Sequence, residues 1–156
     1  MDCGIDNSGR FTKRGIQSPG FPQGFQRDIV TIRSITPQLR TTDLAKTLHF
    51  YTQVLGLIET FRFQDFYAGV ATGTGTGRQE IHLKQVDERD VSIDAVRRDG
   101  HLHLYFDVAD VDAFASRLVA AGVVLVQPPH ETAWGIREIT FEDDQGHTLY
   151  AGEPRS

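Results

Sequence analysis

The sequence predicts one α+β domain in which a βαβββ module occurs twice, with helices on the outer faces of curved mixed sheets. Two observations carry this prediction. The same helix signature, an N-capping residue (Thr42 or Asp43 in the first copy, Asp110 in the second) followed by an apolar stripe and a terminating Gly, ends at Gly56 and again at Gly122. Each copy is preceded by one β-patterned segment and followed by three. Two units of this size and order indicate an internal duplication and not a solenoid array.

In the first unit, Ile35 to Arg40 alternates as a strand, with Pro37 favouring a sheet edge. Leu44, Leu48, Tyr51 and Leu55 recur at helical spacing up to Gly56. The segments Ile58–Phe63, Phe66–Ala71 and Glu80–Gln85 read as strands, and the Thr/Gly run 72–77 forms a hairpin loop between the last two. In the second unit, His101 to Val108 alternates strictly. Val111, Phe114, Leu118 and Val119 form an amphipathic face, and Val123–Val126, Arg137–Glu142 and Thr148–Ala151 read as closing strands. The modules span about residues 32–86 and 100–153, within a single domain of residues 29–156. Residues 1–28, rich in Gly, Ser, Asn, Gln and Pro, are expected to form a flexible arm.

Composition bounds the function. The chain has 156 residues and a net charge of -5, without a basic stripe, so nucleic acid is not an expected partner. Cys3 is the only cysteine, which excludes an intrachain disulfide and a cysteine-based zinc cluster. No apolar run reaches the roughly 18 residues of a spanning helix, and no secretory signal pattern opens the chain. The expectation is a cytoplasmic protein without a membrane partner.

Strand parity places the chemistry. Leu102, Leu104 and Phe106 are expected to be buried against a helix, with Leu118, Phe141 and Leu149. His101, His103, Tyr105 and Asp107 take the opposite face. Ile81 and Leu83 likewise oppose His82 and Lys84, while Thr36, Gln38 and Arg40 form the polar set of the first strand. On the last strand, Thr148 and Tyr150 oppose Leu149 and Ala151. Such faces would line a wet, aromatic ligand cleft. His49, His130 and His147 read as surface or turn residues. Glu138, Asp143 and Asp144 read as solvated turn charges, Glu138 being the best carboxylate for a general base. Trp134 is either loop packing or a cleft wall. The 72–77 run lacks a following helix and a Gly-Lys-Ser/Thr ending, and is not a phosphate loop.

The motifs Thr42-Asp43-Leu44, His49-Phe50-Tyr51 and Val54-Leu55-Gly56-Leu57, with Trp134-Gly135-Ile136-Arg137-Glu138 and Asp143-Asp144-Gln145-Gly146-His147, resemble the glyoxalase/bleomycin-resistance/dioxygenase (vicinal oxygen chelate) superfamily over about Ile32–Glu153. The resemblance implies paired βαβββ modules and a homodimer. It implies four metal-ligand positions, which fall on Thr36, His82, His103 and Tyr150. His82 and His103 suit a divalent ion; Thr36 is a poor ligand, and Tyr150 stands where such enzymes place Glu.

Segments such as Asp65–Val70, Ile81-His82-Leu83 and Ala151-Gly152-Glu153 are similar to bleomycin-resistance proteins, which imply drug sequestration and antibiotic resistance without chemistry. The expectation is therefore a cofactor-free binder of an aromatic or cationic small molecule at a dimer interface. Its ligand residues are Gln38, Arg40, His82, His103, Tyr105, Trp134 and Tyr150. The alternative is an enzyme, a lyase, isomerase or dioxygenase with one divalent metal ion on His82 and His103, and Glu138 or water completing the shell.

Overall fold

The computed structural model of the protein describes residues 34–153, and the segment expected to be a flexible arm lies outside them. The first module runs β1 (Gln38–Thr41), α1 (Leu44–His49), β2 (Ile58–Phe63), β3 (Tyr67–Ala71) and β4 (Glu80–Gln85). A helix α2 (Val91–Arg97) links it to β5 (Leu104–Asp107), α3 (Val111–Ala120), β6 (Leu125–Glu131), β7 (Arg137–Glu142) and β8 (Thr148–Glu153). The strand orders are β1-β4-β3-β2 and β5-β8-β7-β6. In each sheet the first and last strands of the module pair in parallel and the rest antiparallel. The duplication predicted by the sequence is thus present in the topology.

The helices begin and end where local chemistry dictates. Asp43 and Asp110 each accept a hydrogen bond from a first-turn backbone N–H, at Lys46 and Ala113. Gly56 and Gly122 follow in left-handed conformation, φ +81° and +85°, which a Cβ disfavours. Just ahead of Gly56, α1 widens into a π-helical turn over Phe50–Val54, closed by Leu55 N–H on the Phe50 carbonyl at 3.0 Å. Phe50 and Tyr51 are both buried there.

Each of α1 and α3 packs on its own sheet. The apolar faces merge into one core that contains Leu39, Leu44, Tyr51 and Leu83 of the first module with Val111, Leu118, Phe141 and Leu149 of the second. Burial of such side chains is the main stabilising term, about 1.5–3 kcal/mol each.

Four expectations need correction. Leu102 is 64% exposed and precedes the strand, which starts at Leu104. The cause lies just upstream: Gly100 N–H bonds back to the Ala95 carbonyl, so the chain is still leaving α2. Leu104 and Phe106 are only half-buried, although both pack on the core. Helix α2 falls in a stretch the sequence reading left unassigned; Asp90 caps it, and only Ile93 and Val96 bury. Strand β6 starts later than Val123 and continues through Pro128 and Pro129, interrupted by register shifts that accommodate them.

A fifth correction concerns polar groups. His147 and Asp143 are buried, not surface or turn-solvated. Asp143 Oδ1 accepts the backbone N–H groups of Gln145 and His147, both at 2.9 Å. Its Oδ2 lies 2.8 Å from His147 Nδ1 and accepts the Tyr51 hydroxyl at 3.0 Å. Burial, then the Asp143 carboxylate, holds the Tyr51 phenol well above its usual pKa. Glu138 is also buried, on β7, and Asp144 is half-buried, with its carboxyl pushed above the usual range by burial.

Tyr51→Phe removes one charge-assisted hydrogen bond between the modules. The expected loss is about 1.5–3 kcal/mol, read as a lower urea midpoint at unchanged slope. The folded phenol keeps its proton where the unfolded one loses it. Wild-type stability should therefore fall as pH rises above about 10, and Tyr51→Phe should flatten that fall.

Candidate functional site

The face of the first sheet opposite α1 carries the polar residues of β1 and β4. Gln38 and His82 are cross-strand partners. Tyr67 ties them together: its hydroxyl lies 2.6 Å from His82 Nδ1 and accepts from Gln38 Nε2 at 3.1 Å. The Phe61 ring meets His82 edge-on, 5.1 Å between centroids. Phe61 fits there because Gly69 has no Cβ, which would collide with the ring. Glu80 Oε1 sits 3.7 Å from His82 Nε2 and accepts the Thr60 hydroxyl at 2.6 Å, which holds Glu80 below the usual carboxylate range.

The second sheet presents Tyr105, Tyr150 and His103. Tyr105 and Tyr150 are cross-strand partners with rings nearly parallel, 8° apart with centroids at 6.5 Å. His103 lies 5.6 Å from Tyr150. A Cβ on Gly152 would collide with the Tyr105 hydroxyl, so glycine is what lets this phenol lie across β8. Burial, then the neighbouring Glu138 carboxylate, raises the Tyr105 pKa.

A cleft of about 510 Å³ runs between the leading strands of the two modules. Thr36 and Glu80 line it from one side, and Leu104, Tyr105 and Phe106 from the other. Arg40 is half-buried, and its Nη1 has no hydrogen-bond partner among the described residues. Trp134 projects from the β6–β7 loop, 71% exposed.

The sequence-derived residues therefore fall into two groups on two sheets, Gln38 with His82 and His103 with Tyr105 and Tyr150. The two modules are built alike at these strands: Gln38 and Tyr105 each stand five residues ahead of the capping Asp, and their ladder partners are His82 and Tyr150. The metal implied by the family resemblance fits these positions poorly. Two imidazoles, a threonine hydroxyl and a phenol lack the carboxylate that a first-row divalent ion favours, and His82 Nδ1 already faces Tyr67.

Instead, Asp99, His101 and His103 bring one ligand atom each within 4.8 Å of one another, the only such group of His, Cys, Asp or Glu among the described residues. Sequence reasoning missed Asp99, Tyr67 and Glu80. A signal for two of them existed: Asp99, His101 and His103 alternate, and Glu80 precedes His82 by the strand period. Tyr67 is revealed only by register.

The sequence matches the model of the Glyoxalase/Bleomycin resistance protein/Dioxygenase superfamily over residues 31–150. Among solved structures, TioX from Micromonospora sp. ML1 is 25% identical with a TM-score of 0.58, covering 79% of this chain and 97% of that one. A glyoxylase/bleomycin resistance protein/dioxygenase domain from Frankia sp. EAN1pec is 25% identical with a TM-score of 0.61, covering 80% and 100%. A lactoylglutathione lyase from Agrobacterium tumefaciens, 22% identical with a TM-score of 0.59 over 79% and 95%, shares the fold. No curated protein matches the chain. The chain belongs to the Glyoxalase/Bleomycin resistance protein/Dioxygenase superfamily.

Proposed function

We propose that the protein is a small-molecule-binding protein of the bleomycin-resistance kind, which sequesters a planar aromatic or cationic ligand. The observation that carries this reading is the parallel Tyr105–Tyr150 pair beside the buried Glu138. Parallel phenol rings give a flat π surface, and a carboxylate beside them favours a positive charge. Tyr105 also lines the inter-module cleft, so a ligand on this pair is within reach of Glu80. The reading requires no metal, since Thr36 and Tyr150 occupy two of the four family ligand positions.

A homodimer belongs to the same reading. Phe61, Phe63 and Phe66 of the first module and Tyr105, Val126 and Trp134 of the second are exposed. Apolar surface of that extent favours a partner, and a twofold arrangement would let each ligand site draw on two subunits. The metal-dependent lyase, isomerase or dioxygenase reading would need His82 and His103 in one ligand set with a carboxylate, and no observed geometry favours it.

Titration with a cationic planar dye such as acridine orange, and with bleomycin, is expected to show saturable binding by calorimetry and quenching of Trp134 fluorescence. Tyr105→Ala and Tyr150→Ala should each weaken binding about tenfold or more, in line with ≈ 1–3 kcal/mol per aromatic stacking contact. Binding by neither compound, or equal binding by both variants, sinks the assignment of this face.

Two further measurements probe the same site. The Tyr105 phenol should titrate above an ordinary tyrosine in alkaline difference spectra against Tyr105→Phe. Glu138→Gln should lower its pKa only partway, since burial is the larger cause. Sedimentation should give a dimer, and a monomer at high micromolar concentration would remove the shared cleft.

A further inference from the structure

We infer that Asp99, His101 and His103 form a binding site for a divalent first-row transition-metal ion, which shares only His103 with the four positions inferred from family resemblance. All three residues come from the short segment between α2 and β5. His101 Nε2 and His103 Nε2 lie 3.3 and 3.0 Å from Asp99 Oδ1. Two ligands about 2.1 Å from one ion are roughly 3.0 Å apart at a right angle and 3.4 Å apart at the tetrahedral angle. The observed separations match the edges of such a polyhedron, the shorter one being also a hydrogen-bond distance. Two imidazoles and a carboxylate are the donor set that zinc, cobalt and ferrous iron prefer over calcium or magnesium.

Hydrogen bonding fixes where the His101 lone pair points. Its Nδ1 is 3.0 Å from the Leu102 carbonyl, which only accepts, so Nδ1 carries the proton. Its Nε2 accepts the Thr148 backbone N–H at 3.2 Å, so Nε2 carries the lone pair. Asp99 Oδ1 lies 3.3 Å from the same nitrogen, an acceptor facing an acceptor, and an ion on Nε2 would take the place of the Thr148 N–H there. A cation between them resolves the repulsion. A ligating histidine commonly donates its other N–H to a backbone carbonyl, and His101 already does so.

The surroundings hold the set in place. The His101 side chain is 7% exposed, and its ring packs between His103 at 4.9 Å and His147 at 5.2 Å. His147 is in turn fixed by Asp143. Asp99 takes the left-handed conformation, φ +58°, rare for a residue with a side chain. The Thr148 hydroxyl donates to Asp99 Oδ1 at 2.9 Å and orients the carboxylate. Asp99 and His103 are exposed, so an ion has access from solvent.

The test uses the untagged full chain, freed of metal by chelator, and titrates it with Co²⁺ and Zn²⁺ alone. Expected is one ion per chain by calorimetry, with cobalt d–d absorption bands. His101→Ala should lose about a hundredfold or more in affinity, above the effect of removing an outer-shell partner. Asp99→Asn should lose at least about tenfold; asparagine tolerates the left-handed backbone, so this variant tests the carboxylate without disturbing the fold. His82→Ala should bind as wild type. No uptake overturns the site. So does wild-type affinity in Asp99→Asn, or equal loss in His82→Ala, which would place the ion on the shared family positions. No aromatic ligand is present, so the result is independent of the capture reading.

Discussion

The buried carboxylate of Asp143 is the interaction on which the pairing of the modules depends. It sits in the β7–β8 turn of the second module, yet one of its partners is the hydroxyl of Tyr51, 92 residues earlier in the first. A buried carboxylate that lacked this set of donors would be costly, by several kcal/mol. Satisfying it requires the widened end of α1 to be seated against the second module. Neighbouring contacts repeat the lesson: Thr47 donates to Asp144, Thr42 to Gln145, and Arg117 to the Leu55 carbonyl. The apolar core supplies the larger stabilisation, but it would tolerate small rotations of one module on the other. The polar bonds, being directional, select one arrangement.

That arrangement keeps His101 in place. Asp143 fixes His147, and His147 stacks edge-on against His101. A residue whose first role is to join the modules thereby also orients the histidine at the mouth of the second sheet. The same economy appears at Gly152, whose missing side chain sets the position of Tyr105.

The sequence revealed features governed by local rules. Both helix caps, both terminating glycines and the strands β2, β4 and β7 have short-range causes, and their limits were readable from residues a few positions apart. Parity within strands placed His82, Tyr105 and Tyr150 on faces opposite the helices for the same reason. What escaped has long-range causes. Asp143 and His147 look like turn residues until Tyr51 is brought to them. Glu138 looks solvated until β7 is flanked on both sides. Helix α2 is about two turns long, with only Ile93 and Val96 to mark its buried face. Leu102 fits the alternating pattern, but the chain is not yet extended there, because Gly100 still closes the end of α2.

Duplication explains why the two faces differ in chemistry. Equivalent positions in the modules hold Gln38 and Tyr105, His82 and Tyr150, Thr36 and His103. A site that drew symmetrically on both modules would need compatible donors at each pair, and no pair supplies two strong ones. The first sheet has its imidazole held by Tyr67 and Phe61. The second has traded the equivalent histidine for an aromatic pair. Its remaining imidazoles sit earlier in the chain, at the entry to β5, where Asp99 joins them from a left-handed backbone turn. The aromatic pair and the imidazoles are thus separated along the chain, with Tyr105 inside β5 and His101 and His103 ahead of it. The Tyr150 ring, 5.6 Å from that of His103, is where the two groups of residues meet.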